Sequence, residues 1–387
     1  MPDGGDAITV RMVERIGDIP AADWDACAGA DNPFVSHAFL EALEASRSAV
    51  APTGWAPRHI VAEDARGRTV GVVPMYLKSH SYGEYVFDHG WADAYRRAGG
   101  RYYPKLQVSV PFTPVPGPRL LVRPEGEAAA VRAALVEALA AIADRLGVSS
   151  LHVTFCTADE AAAFDAAGWL IRHGRQFHWQ NGGYRSFDDF LAALSHSRRK
   201  SIRKERRQVA AQGIEIDALT GPDIEPRHWD TFFEFYIATS DRKWGSPYLT
   251  RDFFHRLGAT MADRVLLILP RLGSHYVAGA LNLIGRDTLY GRNWGSRGDF
   301  PFLHFEACYY QAIDFAIARG LARVEAGAQG EHKIQRGYLP IPTYSAHWIA
   351  DAGFRKAVAS FLERETEMVG CEISELAEHS PFKQPGG

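Results

Sequence analysis

Apolar residues along this chain recur with two periods, and the change from one to the other marks its elements. A two-residue alternation predicts strands at "AITVRMVE", at the arms "PRHIVAE" and "TVGVVPMYLK" of a hairpin turning at "DARGR", and at "YGEYVFDH". A helical period predicts "SHAFLEALEAS" and a long Ala-rich helix over 125–146, followed by strand "SLHVTFC", helix "AAAFDAAG" and strand "RQFHWQN". The stretch "PFTPVPGP" is too rich in proline for a sheet interior. The second half repeats the order: strand "IEIDALT", helices at "HWDTFFEFYIATS" and "TRDFFHRLGAT", the hairpin "VLLILPRL" with "HYVAGALNLIG", and strand "TLYG". A helix over 302–319 follows, with Leu303, Ala307, Tyr310, Ile313 and Ile317 on one stripe, and then strand "ARVEAGA". A last helix, 354–369, carries Phe354, Val358, Phe361, Leu362 and Met368 near one face, a surface for its own domain or for a second subunit.

Two similar runs of strand, helix, hairpin, helix and strand point to a duplicated α/β unit in the order of acetyltransferase-type acyl-transfer folds. The expected fold class is mixed α/β: tandem acyltransferase-like domains over 1–185 and 186–387, each a mostly antiparallel sheet flanked by helices, the second beginning with a basic helix at 190–212. With 46% hydrophobic and 23% charged residues, the 387-residue chain has enough apolar material for two cores. Its formal net charge of -3 excludes a globally basic surface, so a charged partner must use a local patch. The four cysteines, Cys27, Cys156, Cys308 and Cys371, lie far apart and suit reduced thiols. Neither a leader-like N-terminus nor an apolar run long enough to span a bilayer is evident, so a cytoplasmic protein without stable membrane insertion is expected.

Four segments carry chemistry. "FDDFLAALSHSRRKSIRKERRQVAAQG" is read as one helix, and between Arg198 and Arg207 its seven cations, Arg199 and Arg203 among them, stand against the single acid Glu205. This is either an anion site for cofactor or RNA phosphates, or a seam docked on acidic residues. The glycines of "RNWGSRGDF" read as a loop before a helix, where backbone N–H groups with Arg292, Arg297 and Gly298 would cradle a pyrophosphate, although glycine loops at strand ends are common. In "HSYGEYVFDHGWADAY", Glu84 and Asp88 would share one face of a strand and, with His80, Tyr103 and Lys105, either hold an ammonium group or form an ordinary edge. The stretch "EAGAQGEHKIQRGYLP" places Glu325 inside a central strand and a polar cluster at its end, where open α/β sheets bind ligands. There Glu331 or His332 would take a proton from an attacking amine, while Gln329, Lys333 and Arg336 would contact the substrate. Metal ligation is disfavoured, since His304 and Glu306 lack helical metal spacing.

Taken together, "YLKSHSYGEYVFDHGWADAY", "YYPKLQVSVPFTPVPGPRLL", "YGRNWG", "LHFEACYYQAIDFAIARG" and "EAGAQGEHKIQRGYLP" resemble the bacterial family of N-acyltransferases labelled peptidoglycan-biosynthesis proteins, related to Fem-type peptidyltransferases and GNAT acetyltransferases. The resemblance spans about residues 8 to 370. It implies tandem GNAT-like domains and transfer of an acyl or aminoacyl group from acyl-CoA or aminoacyl-tRNA, used as co-substrate rather than as a tightly bound cofactor, to a primary amine of a small molecule or peptide. The pyrophosphate signature of GNAT enzymes is incomplete here, because "RNWGSR" ends in Arg297 where Gly or Ala is usual. The alternative function is a non-catalytic module of the same fold that binds a peptide, lipid head group or nucleic acid.

Overall fold

The structure is a computed structural model that describes residues 8–243, 247–327 and 330–383. It divides into two compact units, Met1–Gly174 with Pro342–Gly370, and Arg175–Ile341 with Cys371–Gly387. The sequence suggested contiguous halves meeting at 185/186. Instead the chain changes unit inside the long strands Leu170–Gln180 and Tyr338–Ile349. A polar stretch such as "NGGYRS" looks like a linker, whereas a strand that exchanges one set of neighbours for another keeps the same composition throughout.

In the first unit, Thr9–Val13, His59–Glu63, Thr69–Val73 and Leu121–Val122 form an antiparallel sheet. A second set runs Trp55–Pro57, Met75–Lys78 and Lys105–Val108 antiparallel, and Lys105–Val108 then pairs in parallel with Ser150–Cys156. The sequence reads "TVGVVPMYLK" as one arm, but Pro74 lacks the N–H to continue a ladder and the segment becomes two strands in different sheets. Helix Ala128–Arg145 buries Val131, Leu135, Leu139 and Ile142 against Ile60, Val73, Leu106 and Leu151. It approaches so closely that a Cβ on Gly71 would lie 2.9 Å from Val131.

The second unit repeats the scheme. Ile214–Thr220, Val265–Leu272, Ala278–Ile284 and Thr288–Ser296 form an antiparallel ladder, and the last pairs in parallel with Arg323–Glu325. Helices Pro226–Lys243 and Arg251–Met261 bring Trp229, Phe232, Phe235 and Phe254 together, while the helical run from Leu303 to Ala318 buries Tyr310, Ile313 and Ile317 with Leu266, Leu289 and Val324. The mixed α/β expectation, with antiparallel strands predominating and helices flanking them, therefore holds in each unit. The last helix is longer than the sequence suggests, Ala352–Glu378, and buries Val358 and Leu362 while leaving Met368 exposed.

Candidate active site

The parallel strands of the second unit register as Thr288↔Arg323, Leu289↔Val324 and Tyr290↔Glu325, and there the pairing stops. Thr288–Ser296 continues beyond Tyr290 with no further register to Arg323–Glu325 on that edge, leaving a gap at the end of the shorter strand. On its other edge the ladder slips: Asn282 opposes Gly291 and Leu281 opposes Asn293, so Arg292 is the extra residue of a β-bulge. A bulge re-aims its side chain. Here it turns Arg292 into a small cavity of about 80 Å³ whose wall also includes Asn282, Trp294 and Ala326.

The opposite wall is helical. Between Leu303–Phe305 and Gln311–Ala318 the helix widens to a π turn over Glu306–Tyr310, a distortion common at functional sites. It brings His304, Cys308 and Tyr309 to the cavity. Glu306 is buried behind them, accepting hydrogen bonds from Arg206 at 2.9 and 3.2 Å and from Gln311 at 2.8 Å.

At the end of the short strand, the buried Glu325 carboxylate lies 3.8 Å from His178 Nδ1 and 3.9 Å from Arg292 Nη2. Burial, with Arg323 and Arg292 nearby, pushes His178 down to about 3, so its ring is neutral. The following 3-10 helix, Glu331–Arg336, supplies His332, whose Nε2 is 2.9 Å from the Tyr309 hydroxyl. Burial, with Arg336 and Lys333 beside it, lowers the affinity of His332 for a proton. Lys333 is 2% exposed and donates to the Gly327 carbonyl at 2.8 Å; burial and the charge of Arg292 push it down to about 7. The site thus holds a guanidinium beside a lysine pushed down to about 7 and a histidine whose ring is biased toward its neutral form.

The sequence-selected residues separate on this geometry. Glu325, His332, Lys333 and Arg292 gather at the strand end. Arg336 comes too, but its guanidinium donates to Glu205 at 2.9 Å and to the His332 carbonyl at 2.8 Å and stacks over Phe305 at 3.4 Å, so it is a structural clamp. "RNWGS" is strand rather than loop, a correction forced by the ladder to Ala278–Ile284. Arg297 and Gly298 are therefore carried to the exposed end of that strand, where Arg297 pairs with Glu234 at 2.6 Å. Gln329 and the side chain of Glu331 lie outside the described residues. Sequence reasoning passed over Cys308, Tyr309 and Trp294; the i, i+4 spacing of His304 and Cys308 was the available signal, and the π turn that sharpens it has no sequence signature.

The basic segment is two helices, Phe187–Ala193 and His196–Ala211, because Leu194 is extended and bridges to Phe382. Ile202 and Val209 are buried, and Arg206 turns inward to Glu306 and Asp314. Arg199, Lys200, Arg203, Lys204 and Arg207 fall within an arc of about 140° on the outward side. Arg203 reaches Asp188 at 2.9 Å. Among the described residues no acid pairs with Arg199, Lys200, Lys204 or Arg207.

In the first unit, residues 84–88 are loop rather than strand, and Glu84 and Asp88 do hold an ammonium: that of Lys105. Lys105 Nζ is fully buried and donates to Glu84 Oε2 at 2.7 Å, Ser81 Oγ at 2.9 Å and Asp88. Tyr103 bonds Ser81 at 2.7 Å, and His80 lies 3.1 Å from the Thr53 carbonyl. The expected substrate contacts of this segment are thus met from within. The edge beyond its parallel pair is also filled: Arg119, fully buried, donates to the carbonyls of Thr154 at 2.9 Å and Val115 at 2.5 Å, and Gly117 N–H bonds Phe155 O at 3.0 Å. The strand edge that opens on a cavity in one unit is occupied by the proline-rich segment in the other.

A family model for FemAB-like proteins, described as peptidoglycan biosynthesis/recognition, matches residues 15–384. The chain belongs to the FemAB-like family. Solved structures similar to this FemAB-like chain include FemX, at 12% identity and a TM-score of 0.55 over 91% of this chain and 100% of that one. The C-terminal domain of a putative lysylphosphatidylglycerol synthetase from Agrobacterium fabrum matches at 9% identity and 0.54, over 89% and 95%. L-PGS from Bacillus licheniformis matches at 10% and 0.52, over 87% and 98%. Identities this low establish the shared fold. No curated protein sequence matches the chain. None of the helices in the described residues is long and apolar enough to cross a membrane.

Proposed function

We propose that this FemAB-like protein transfers an acyl or aminoacyl group from an activated donor to a primary amine, with the chemistry in the cavity of the second unit. The observation that carries this reading is the bulged Arg292, held beside a cavity at the end of a parallel strand pair, with two proton acceptors, Lys333 and His332, on the segment that follows. Attack of an amine on a carbonyl builds negative charge on oxygen and releases a proton from nitrogen. The guanidinium of Arg292 stabilises the first and a neutral base takes the second. Acyl donors of either expected kind, acyl-CoA or aminoacyl-tRNA, are polyanionic, and the outward stripe from Arg199 to Arg207 supplies complementary charge. The name of the putative lysylphosphatidylglycerol synthetase agrees with an aminoacyl reading.

Mass spectrometry of reactions pairing acyl-CoAs or charged tRNA with a panel of amines tests it. Product is expected, and Arg292→Met should lower kcat by about a hundredfold or more. Reversing Arg199, Lys200, Lys204 and Arg207 to Glu should raise the donor KM, flatten its salt dependence and spare kcat. Tight binding of donor with no product across the panel would replace catalysis with recognition.

A further inference from the structure

We propose that the aromatic loop of the first unit and the last helix form one surface that docks a second copy of this chain, the two last helices lying antiparallel about a two-fold axis. This goes beyond the transferase reading and does not depend on it.

The large apolar side chains left exposed among the described residues are unevenly placed. Of eight, Tyr82, Tyr85 and Phe87 lie on the loop before helix His89–Arg97, and Phe361 and Met368 lie on the last helix. Arg172 ties the two places together. Its guanidinium donates to the Phe87 carbonyl at 2.8 Å and to the two Glu365 carboxylate oxygens at 2.7 and 2.8 Å. It also stacks over Trp91, whose ring Phe361 meets edge-on. The loop is held firmly from beneath. Ser81, Glu84 and Asp88 turn inward to Lys105, which leaves Tyr82 and Phe87 61% and 62% exposed with His89 beside both rings. Rings already fixed in place lose little freedom on binding, and an exposed apolar patch of this kind marks an interaction site.

Charge along the helix identifies the occupant. Within Ala352–Glu378, Arg355 donates to the Gly168 carbonyl, Glu365 accepts from Arg172 and Glu372 from Arg175. Among the described residues, Lys356 and Arg364 in the first half form no ion pair, and neither do Glu367, Glu375 and Glu378 in the second. At 100° per residue these five share an outward arc of about 140° with Phe361 and Met368. In a parallel pair like charges would meet. A two-fold axis across the helix reverses one copy, sets the basic half of each against the acidic half of the other, and opposes the helix dipoles. The helix carries six acids against three bases, so an anionic bilayer or a nucleic acid is repelled from the same face.

Sedimentation velocity on the full-length protein over a range of concentrations reads the assembly. A reversible dimer is expected, and Met368→Glu should raise its dissociation constant at least about tenfold. Two charge variants test the direction of pairing. Lys356→Glu with Arg364→Glu makes the five free charges all acidic, whereas Glu367→Lys with Glu375→Lys and Glu378→Lys makes them all basic. Each variant should be monomeric alone, and an equimolar mixture should restore a dimer. Recovery on mixing also shows that both variants are folded, as thermal melting of each confirms. A parent that stays monomeric at every soluble concentration overturns the proposal, and so do charge variants that each self-associate as the parent does. Binding of a monomeric parent to phosphatidylglycerol vesicles, lost in Tyr82→Ser with Phe87→Ser, would overturn it in favour of a lipid surface.

Discussion

Replacing Lys105 with Met tests whether the acidic loop of the first unit serves the fold or a substrate. The substitution keeps the length of the apolar stem and removes a fully buried ammonium from between Glu84 and Asp88, themselves 3% and 2% exposed. Breaking a buried pair by removing one partner costs about 3–5 kcal/mol, because charge is left under-compensated in a poorly solvated place; here Glu84 would keep only Lys78, 3.9 Å away. That cost lowers the folding equilibrium constant by roughly a hundredfold to a few thousandfold, a large part of a typical stability of about 5–15 kcal/mol. The loss should also depend on pH. Burial pushes Glu84 up to about 7 even with Lys105 present, while Lys105, against the effect of burial, holds Asp88 well below the usual carboxylate range. Without the ammonium both carboxyls move upward. A group whose folded pKa exceeds its unfolded value stabilises below the unfolded value and loses that contribution as pH rises through the folded one. Lys105→Met should therefore be much less stable at pH 8 than at pH 5. The added changes Glu84→Gln and Asp88→Asn should restore most of the loss. Urea unfolding at both pH values, followed by tryptophan fluorescence, measures this. If Lys105→Met unfolds at the parental urea concentration but transfers no acyl group, the ammonium serves a substrate and the reasoning is wrong.

Arg119→Met should lower stability by about 3 kcal/mol, since it strips charged donors from buried carbonyls at Thr154, Gly117, Pro118 and Val115; thermal melting checks this, with KM unchanged for any substrate. Gly295→Ala should cost about 1–3 kcal/mol in the same assay, because the new Cβ would sit 2.1 Å from the backbone oxygen of Phe235 and force strand and helix apart. Lys333 is the reverse case: its folded pKa is lowered to about 7, so the folded state binds fewer protons than the unfolded state between that value and its ordinary 10.5. The parent should gain stability as pH rises through this window, whereas Lys333→Met should lack that rise and be at least about 1 kcal/mol more stable than the parent at pH 6.

Much of the fold is legible in the chain because strand and helix periods follow from which faces must be buried. The duplicated order of elements, the Ala-rich helix and the polar cluster after Arg323–Glu325 all follow from local pattern. The acidic pair Glu84 and Asp88 is visible in the same way, and even its taste for an ammonium is legible, but not that the ammonium would come from Lys105, some twenty residues along. Partners distant in sequence leave no local mark. The same holds for the site: a one-residue slip opposite Leu281 turns Arg292 from a surface side chain into a wall of the cavity, and a single wide turn of helix brings Cys308 to face it. The sequence by itself determined the class of fold, the family and the segment where charge collects. Only the tertiary structure decided which of two similar units opens at the end of its parallel strands, because that depends on whether a distant proline-rich segment and one arginine fill the exposed backbone edge or leave it bare.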